Sequence, residues 1–478
     1  MGQQCSECGS SSVVTEQSTA QYCATCRPAS VPSAGVGGDS AFDVCVVGMG
    51  YVGSSLAAVL AETGLTVHGI DVDPNVIETV QSGECPLEER RISELFEAHL
   101  DAGEITVSGS FDVLDDADTI IVTVGTPLAM DDPDLSAVKA ASREVGRHVN
   151  VGDLVIYRST LPAGATEDTI LPILEAESGY TAGAEFSLAF CPERMAEGNA
   201  YEDLTTLPVV VGGVTDTCQA AATSFWESIG HETVAVSSPR AAELAKLADN
   251  WWIDLNIALA NEIALLAEAV GVNALEVIRA ANTLPKGDHN VNILYPGAGV
   301  GGSCLVKDPV FVANLGDAHG LELQTPRVSR TVNDQMPAHM IGLVEQGLGG
   351  FDGQTVAVLG YAYKGGTDDT RSTPAKDIID GLVRNGLEVR VTDPYVPDET
   401  IREEVECSVT SLSAALADAD AVVIVTGHDE YRAMSPEELI EFVGTEEFAV
   451  IDGRHVFEPS AFTTGSTRQL GVGCGTHE

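Results

Sequence analysis

Residues 43–53 read DVCVVGMGYVG, an apolar run that breaks on Gly48, Gly50 and Gly53 and passes at once into a helical pattern. The G-x-G-x-x-G spacing at such a change of period commits this part of the chain to the first strand–turn–helix unit of a dinucleotide-binding α/β domain. Gly48 permits the tight turn, Gly50 lets the backbone approach a pyrophosphate, and Gly53 allows the helix to pack on the strand. With Tyr51 and Val52 these residues form the expected cofactor turn, whose helix amides face the phosphates. Asp71 closes the next apolar run, LTVHGID, eighteen residues past Gly53. An acid there binds ribose hydroxyls and repels a 2′-phosphate, so the expected cofactor is NAD rather than NADP.

The pattern continues as strand-like runs separated by helical ones. FDVCVVG, LTVHGID, TIIVTVGTP, DLVIYRST, FSLAFCPE and PVVVGG predict a parallel sheet covered by helices over residues 42–235. Ser238 and Pro239 then supply a cap and a first-turn proline. The sequence runs without a breaker to Gly271, predicting a long helix with more than one apolar face that links domains and packs against a second subunit. A second α/β pattern follows: QTVAVLGYAYK, LEVRVTDP, DAVVIVTGH and FAVIDGR, without the full glycine fingerprint. The expected fold is α/β, with two Rossmann-like parallel-sheet domains joined by a long central helical region. The expected division is 42–235 for the NAD domain, 236–340 for the helical dimerisation region, 350–457 for the second α/β domain and 458–478 for a frayed tail.

Ahead of these, residues 1–27 contain Cys5-x2-Cys8 and Cys23-x2-Cys26, fourteen residues apart. Two such pairs can each clasp one side of a tetrahedral zinc ion, which predicts a small structural zinc ribbon. Iron in the same cage and four unrelated cysteines are the alternatives. Residues 28–41 read as a linker.

Charge narrows the choice of partner. The chain carries 72 acidic and 24 basic residues, a net −48. Nucleic acid is disfavoured, because its binding depends on Lys and Arg neutralising phosphates. The acid is spread throughout and apolar content is 44%, so a folded protein suited to a salt-rich cytoplasm is expected. In molar salt a Debye length of ~3 Å removes most of the repulsion. No apolar run reaches the roughly 18 residues of a membrane span, and no basic-then-apolar leader opens the chain. A soluble cytoplasmic protein without membrane insertion is expected.

Far from the glycine turn, Cys304 lies in PGAGVGGSCLVKDP, among Gly299, Gly301 and Gly302 and before Lys307 and Asp308. The glycines suggest a backbone open to a ligand, and nearby cations favour thiolate. Cys45, Cys191 and Cys218 sit in apolar runs and read as structural. Lys246 and Asn250 are four apart on the long helix and share a face. Glu193 and Glu197 are also four apart, and read equally as catalytic acids or surface charges.

These segments together carry a resemblance. GMGYVG, VGTP, RSTLPAGAT, PERMAEG, KLADN, PGAGVGGSCLVKDP and YKGGTDDTRSTPA, in that order, resemble the UDP-glucose/GDP-mannose dehydrogenase family over residues 42 to about 457. The resemblance implies NAD-dependent, four-electron oxidation of a nucleotide sugar at C6, in a homodimer or larger homo-oligomer. It implies Cys304 as nucleophile, Lys246 as acid/base or oxyanion stabiliser, Asn250 as oxyanion donor, and Asp308 and Thr160 as groups that orient water. It places Glu193 and Glu197 beside substrate and nicotinamide, and Thr126, Thr160 and Arg371 on NAD. Lys364, Arg194, Met195, Gly301, Lys246 and Asn250 fall on the substrate. PERMAEG, PVVVGG and NIALANE resemble the branch that acts on UDP-N-acetylmannosamine or UDP-N-acetylglucosamine. Ser303, Ile253 and Asn290 depart from that branch, and Ser303 matches the UDP-glucose and GDP-mannose enzymes. UDP-glucose 6-dehydrogenase is the nearest alternative. A non-catalytic NAD- or redox-sensing protein is the alternative of another class, and the joint presence of Lys246, Asn250, Cys304 and Asp308 argues against it.

Overall fold

The computed structural model describes residues 41–87, 89–458, 461–462 and 466–474. Cys5, Cys8, Cys23 and Cys26, and the linker up to residue 40, lie outside the described residues. The chain forms two compact units. Of the described residues, one holds those from 41 to 126 with 135–195 and 199–243, and the other holds 127–134, 196–198 and those from 244 to 474.

In the first unit, strands β1 (Phe42–Val47), β2 (Val67–Ile70), β3 (Ile105–Ser108), β4 (Ala117–Val122), β5 (Leu154–Tyr157), β6 (Ser187–Phe190), β7 (Val209–Gly213) and β8 (Thr233–Ala235) make one sheet. Its order is β8-β7-β6-β5-β4-β1-β2-β3. Sequence order reverses between β1 and β4, the point at which such sheets bind ligands beyond their carboxyl ends. Successive β1 residues face opposite cores. Val44 and Val46 join Leu56 and Leu60 of helix α1 (Tyr51–Glu62), while Cys45 and Val47 join Ile120 and Tyr157. Both faces are covered, which is why these strands read as nearly unbroken apolar runs. The sheet is not wholly parallel: Ala189 of β6 pairs with Gly213 of β7 in antiparallel sense. An apolar run reads the same in either direction, so the pattern does not encode this reversal. Short β3 and β8 lie at the two edges, where few apolar residues mark them.

The long helix α2 (Pro239–Val270) starts where expected, with the Ala241 amide donating to Ser238 Oγ at 3.2 Å. Leu247, Ala258, Ala260, Ala264 and Ala267 are buried, whereas Leu244, Trp252, Leu259, Leu266 and Val270 are exposed. Helices α3 (Asp308–Ala318) and α4 (Thr325–Leu348) follow in the second unit, then a fully parallel sheet. Its strands are β9 (Thr355–Leu359), β10 (Glu388–Thr392), β11 (Ser408–Val409), β12 (Ala421–Ile424), β13 (Ala449–Asp452) and β14 (Arg468–Gly471), in the order β11-β10-β9-β12-β13-β14.

Strand β14 corrects the expected frayed tail. Arg468–Gly471 pairs residue by residue with Ala449–Asp452, and Leu470 and Val472 are buried. Beyond it the Gly473 amide donates to Glu268 Oε1 at 2.6 Å, and its carbonyl accepts the Ala274 amide at 2.8 Å. One apolar side chain, Leu470, in a four-residue edge strand gives too weak a pattern to read from sequence.

The second sheet repeats the first turn of the first sheet. Gly48 and Gly360 have φ of +97° and +93°, and their amides donate to the Ile70 and Thr392 carbonyls at 2.8 Å. Asp71 and Asp393 end the neighbouring strands and accept the Met49 and Tyr361 amides, each at 2.6 Å. Asp393 Oδ2 also accepts from the Ala362 amide and from His428 Nε2, both at 3.0 Å. The side chains of His428 and Asp393 are both fully buried, so this second acid is closed off from a ligand.

Candidate active site

The glycine turn fits a dinucleotide for reasons that differ at each glycine. A Cβ on Gly53 would stand 1.8 Å from the Gly48 carbonyl oxygen, so helix packing alone demands glycine there. A Cβ on Gly50 would meet nothing within 4 Å. Gly50 caps α1, and the open ground above it is where a pyrophosphate approaches the helix amides. Thr123 Oγ1 donates to the Gly48 carbonyl at 2.6 Å and fixes the turn. Asp71 spends Oδ2 on Met49 and Oδ1 on the Asp73 amide at 2.9 Å, which orients a carboxylate that keeps lone pairs for ribose hydroxyls. In the same unit Thr126 Oγ1 donates to the Thr160 carbonyl at 2.7 Å, tying two of the expected cofactor contacts together.

Glu193 is fixed by its neighbours. It is buried, it pairs with the Arg158 guanidinium, and its Oε1 accepts the Arg194 and Met195 amides at 2.6 and 2.8 Å. Burial works to raise its pKa, but Arg158 and the two amides outweigh this and hold it below the usual carboxylate range. Glu193 thereby shapes the loop of Arg194 and Met195. Arg194 reaches back to the Pro208 carbonyl at 3.4 Å, and the Met195 side chain packs on the apolar core of this unit.

In the second unit Cys304 stands one turn ahead of α3, which begins at Asp308. Its carbonyl accepts the Asp308 amide at 2.9 Å and the Lys307 amide at 3.1 Å, so the residue sits at the positive end of that helix. Cys304 is exposed, whereas Cys45, Cys191 and Cys218 are buried. Burial pushes the Cys45 and Cys191 thiols up to about 12, which makes them inert as nucleophiles. The glycines around Cys304 serve a purpose other than the expected open backbone. Gly299, Gly301 and Gly302 are buried. A Cβ on Gly301 would stand 2.6 Å from the Ser372 carbonyl oxygen, and one on Gly302 would stand 2.7 Å from the Tyr363 ring. The loop is glycine-rich because it lies directly against residues 363–374.

Lys246 and Asn250 are buried on one face of α2. Asn250 Nδ2 donates to Asp308 Oδ2 at 2.5 Å, which joins the helix to the cysteine loop. Asp308 is fully buried and its Oδ1 has no hydrogen-bond partner, though Lys307 Nζ lies 3.7 Å away. A buried carboxylate oxygen that accepts no hydrogen bond is suited to a water or substrate hydroxyl, since leaving such an acceptor unsatisfied is costly.

A further cluster sits beside the cysteine loop. Arg371 donates to Glu197 Oε1 at 2.7 Å and grips Asp369 through Nε and NH2. Its bonds to Asp369 raise the Arg371 pKa, and a thiolate at Cys304 adds to that effect. Tyr363 donates its hydroxyl to Glu197 Oε2 at 2.8 Å, and Lys364 Nζ donates to the Glu197 carbonyl at 2.8 Å. Burial and the neighbouring Asp369 push the Glu197 carboxyl up, to about 7. The structure therefore gathers Lys246, Asn250, Asp308 and Cys304 around α2 and α3, and Glu197, Lys364 and Arg371 around the 363–371 segment. Among the described residues no group of three His, Cys, Asp or Glu side chains is placed to hold a metal ion, and no helix is long and apolar enough to cross a membrane.

Family models match almost the whole described chain. Those described as UDP-glucose/GDP-mannose dehydrogenase family, NAD binding domain, central domain and UDP binding domain cover residues 42–230, 240–335 and 357–459. The chain belongs to the UDP-glucose/GDP-mannose dehydrogenase family. It is an NAD-dependent oxidoreductase with a UDP-sugar-binding domain. Within this family it is 36% identical to a UDP-N-acetyl-D-mannosamine dehydrogenase of Pyrococcus horikoshii, over 87% of this chain and 96% of that protein. A solved UDP-D-ManNAc dehydrogenase of the same organism aligns with a TM-score of 0.80 at 35% identity, covering 91% of this chain and 99% of that one. A solved UDP-glucose dehydrogenase of Pyrobaculum islandicum aligns with a TM-score of 0.79 at 30% identity, over 90% and 98%.

Arg158, Asp254, Arg330, Tyr363 and His428 also belong to these networks and carry little signal in the sequence. For Asp254 a signal was present: Lys246, Asn250 and Asp254 form a polar ladder at four-residue spacing through an apolar helix. The others gain meaning only from partners distant in sequence.

Proposed function

We propose that this dehydrogenase oxidises C6 of a UDP-N-acetylhexosamine, UDP-N-acetyl-D-mannosamine first among them, from alcohol to carboxylate. The observation that carries the substrate is the 36% identity over 421 residues to a relative of that name. NAD, when bound at the glycine turn, supplies the hydride acceptor for both oxidation steps. Lys246 takes the C6 hydroxyl proton. Cys304 thiolate adds to the aldehyde carbon to give a thiohemiacetal, and a second hydride loss leaves a thioester on Cys304. Asn250 donates to the developing oxyanion. Asp308, through the oxygen that accepts no hydrogen bond, orients the water that cleaves the C–S bond and frees the uronate and the thiolate. Covalent capture retains a reactive aldehyde between the two steps. Glu193 supports this chemistry by fixing its loop through Arg158, while Glu197 holds Arg371 and Lys364 in place as ligand-binding cations. Arg194, Met195 and Gly301 complete the substrate side.

UDP-glucose oxidation is the second reading, favoured by Ser303 before the nucleophile and by the Pyrobaculum islandicum structure. Full-length enzyme in molar salt, given NAD and a panel of UDP- and GDP-sugars, separates the two. The expected result is two NADH per uronate with UDP-N-acetylmannosamine and little turnover of UDP-glucose, and the reverse order overturns the substrate. The exposed apolar residues of α2 support a homo-oligomer. The four N-terminal cysteines support one structural zinc. NAD and UDP-sugar pools place the enzyme in the cytoplasm, in the synthesis of surface glycans.

A further inference from the structure

The loop that carries Cys304 is held at both ends by polar side chains. At its start Asn256 accepts the Leu294 amide at 2.9 Å and donates to the Asn292 carbonyl at 2.7 Å. Asn261 accepts the Gly297 amide at 3.0 Å. At its end stands Arg330 of α4. Its NH1 donates to the carbonyl of Leu305, the residue after Cys304, at 3.4 Å and to Asp254 Oδ1 at 2.7 Å. Its NH2 pairs with Asp334. Asp254 is fully buried and also accepts from Ser329 Oγ at 2.6 Å and Asn333 Nδ2 at 2.7 Å. The guanidinium is thus set in one orientation by a carboxylate one helical turn beyond Asn250. Stability alone gives little reason for such a pair, since a buried ion pair rarely outperforms an apolar replacement.

We propose that Arg330, oriented by Asp254, is a positioning residue for the nucleophile. It fixes the Leu305–Val306 peptide, one residue beyond Cys304, and through it the direction from which Cys304 Sγ meets the sugar carbon. The proposal rests on Cys304 as the nucleophile of the proposed function. A guanidinium that held only the fold would affect stability. One that aims a nucleophile affects turnover, because a misplacement of about 1 Å can cost on the order of 100-fold in rate.

The test uses Arg330→Lys and Asp254→Asn in the full-length enzyme. Arg330 borders a cleft of about 390 Å³, which leaves a lysine room beside Asp254 and Asp334 while the fork to Leu305 is lost. Asp254→Asn keeps the shape and removes the charge that orients Arg330. Measurements are kcat and KM with NAD and UDP-N-acetylmannosamine, melting temperature, and peptide-resolved alkylation of Cys304 by iodoacetamide. The expected result is a kcat loss on the order of 10- to 100-fold with KM for NAD little moved. Alkylation of Cys304 should change while that of Cys85 and Cys407 does not. A folded Arg330→Lys enzyme with wild-type kcat and wild-type alkylation overturns the proposal, and so does an effect confined to melting temperature. If Arg330→Lys fails to fold, the same readouts on Asp254→Asn decide. If the wild-type enzyme turns over no nucleotide sugar, the proposed function fails, and the alkylation comparison still decides the role of Arg330.

Discussion

Asn250 gives one amide hydrogen to Asp308 across 2.5 Å, and that bond joins the long helix to the loop of the reactive cysteine. It leaves Asn250 a second N–H, and it holds Asp308 in a buried place where the other carboxylate oxygen accepts no hydrogen bond and has Lys307 Nζ 3.7 Å away. A donor aimed by one bond and an acceptor left open beside it suit a site that stabilises an oxyanion and then delivers water.

Removing these groups should separate chemistry from binding. Cys304→Ser is expected to abolish uronate formation while NAD still binds. Asn250→Ala is expected to lower kcat by on the order of 100-fold, the scale of a lost oxyanion donor. Uronate assays beside NAD titration check both. Undiminished acid production by the serine variant rules out the thioester.

Cofactor choice should rest on Asp71. Its carboxylate is anchored by Met49 and Asp73 but stays partly exposed. NAD should be used in preference to NADP, and Asp71→Ala should shrink the ratio of the two kcat/KM values. The same variant loses the bond that pins Met49, so weaker binding of both cofactors is expected alongside. Equal efficiency of wild-type enzyme with both cofactors contradicts the assignment.

Much of this was legible in the sequence, and the limits have physical causes. The cofactor turn could be read because its glycine spacing and Asp71 act over about thirty residues of local chain. Lys246 and Asn250 could be read as neighbours because helical spacing alone brings them to one face. The reason for Gly301 and Gly302 could not, since it lies in Tyr363 and Ser372, some sixty to seventy positions away. The ionic pairing of Glu197 with Arg371 spans 174 positions and leaves no periodic mark. Glu193 and Glu197 look alike in sequence, yet one is buried against an arginine and the other is held beside a tyrosine and an arginine.

A pH-dependent stability term should come from Asp153. Burial, opposed by the Asn150 amide at 2.6 Å, raises its pKa to about 7. In the unfolded chain it titrates near its ordinary value of about 3.9. Between those values only the folded state keeps the proton, so the contribution is full below the unfolded pKa and is lost as pH rises through about 7. Asp153→Asn keeps an acceptor for Asn150 and cannot ionise. Its melting temperature should exceed the wild-type value by a few °C at pH 8, with the gap closing toward pH 4. A gap independent of pH contradicts the assignment.

The four N-terminal cysteines should hold one zinc per chain. All four ligands would come from protein, so no position stays open for substrate, and the site would be structural. A chain starting near residue 40 should lose the metal and keep its dehydrogenase activity. Elemental analysis and activity of both lengths check this. A reduced full-length protein without metal refutes the site.

The charge balance makes the last prediction. Seventy-two carboxylates against twenty-four basic side chains repel one another more in the compact state than in the expanded one. The repulsion reaches about 10 Å at 0.1 M salt and only ~3 Å at 1 M. Melting temperature should therefore rise steeply with sodium chloride from tens of millimolar and flatten near 1 M, once neighbouring surface charges no longer sense each other. Preferential exclusion of salt would instead keep raising it beyond that point, and far more strongly with sulfate than with chloride. A rise that saturates and is the same for both salts at equal ionic strength assigns the effect to screening. A flat profile over the whole range removes the inference that this surface is built for a salt-rich interior.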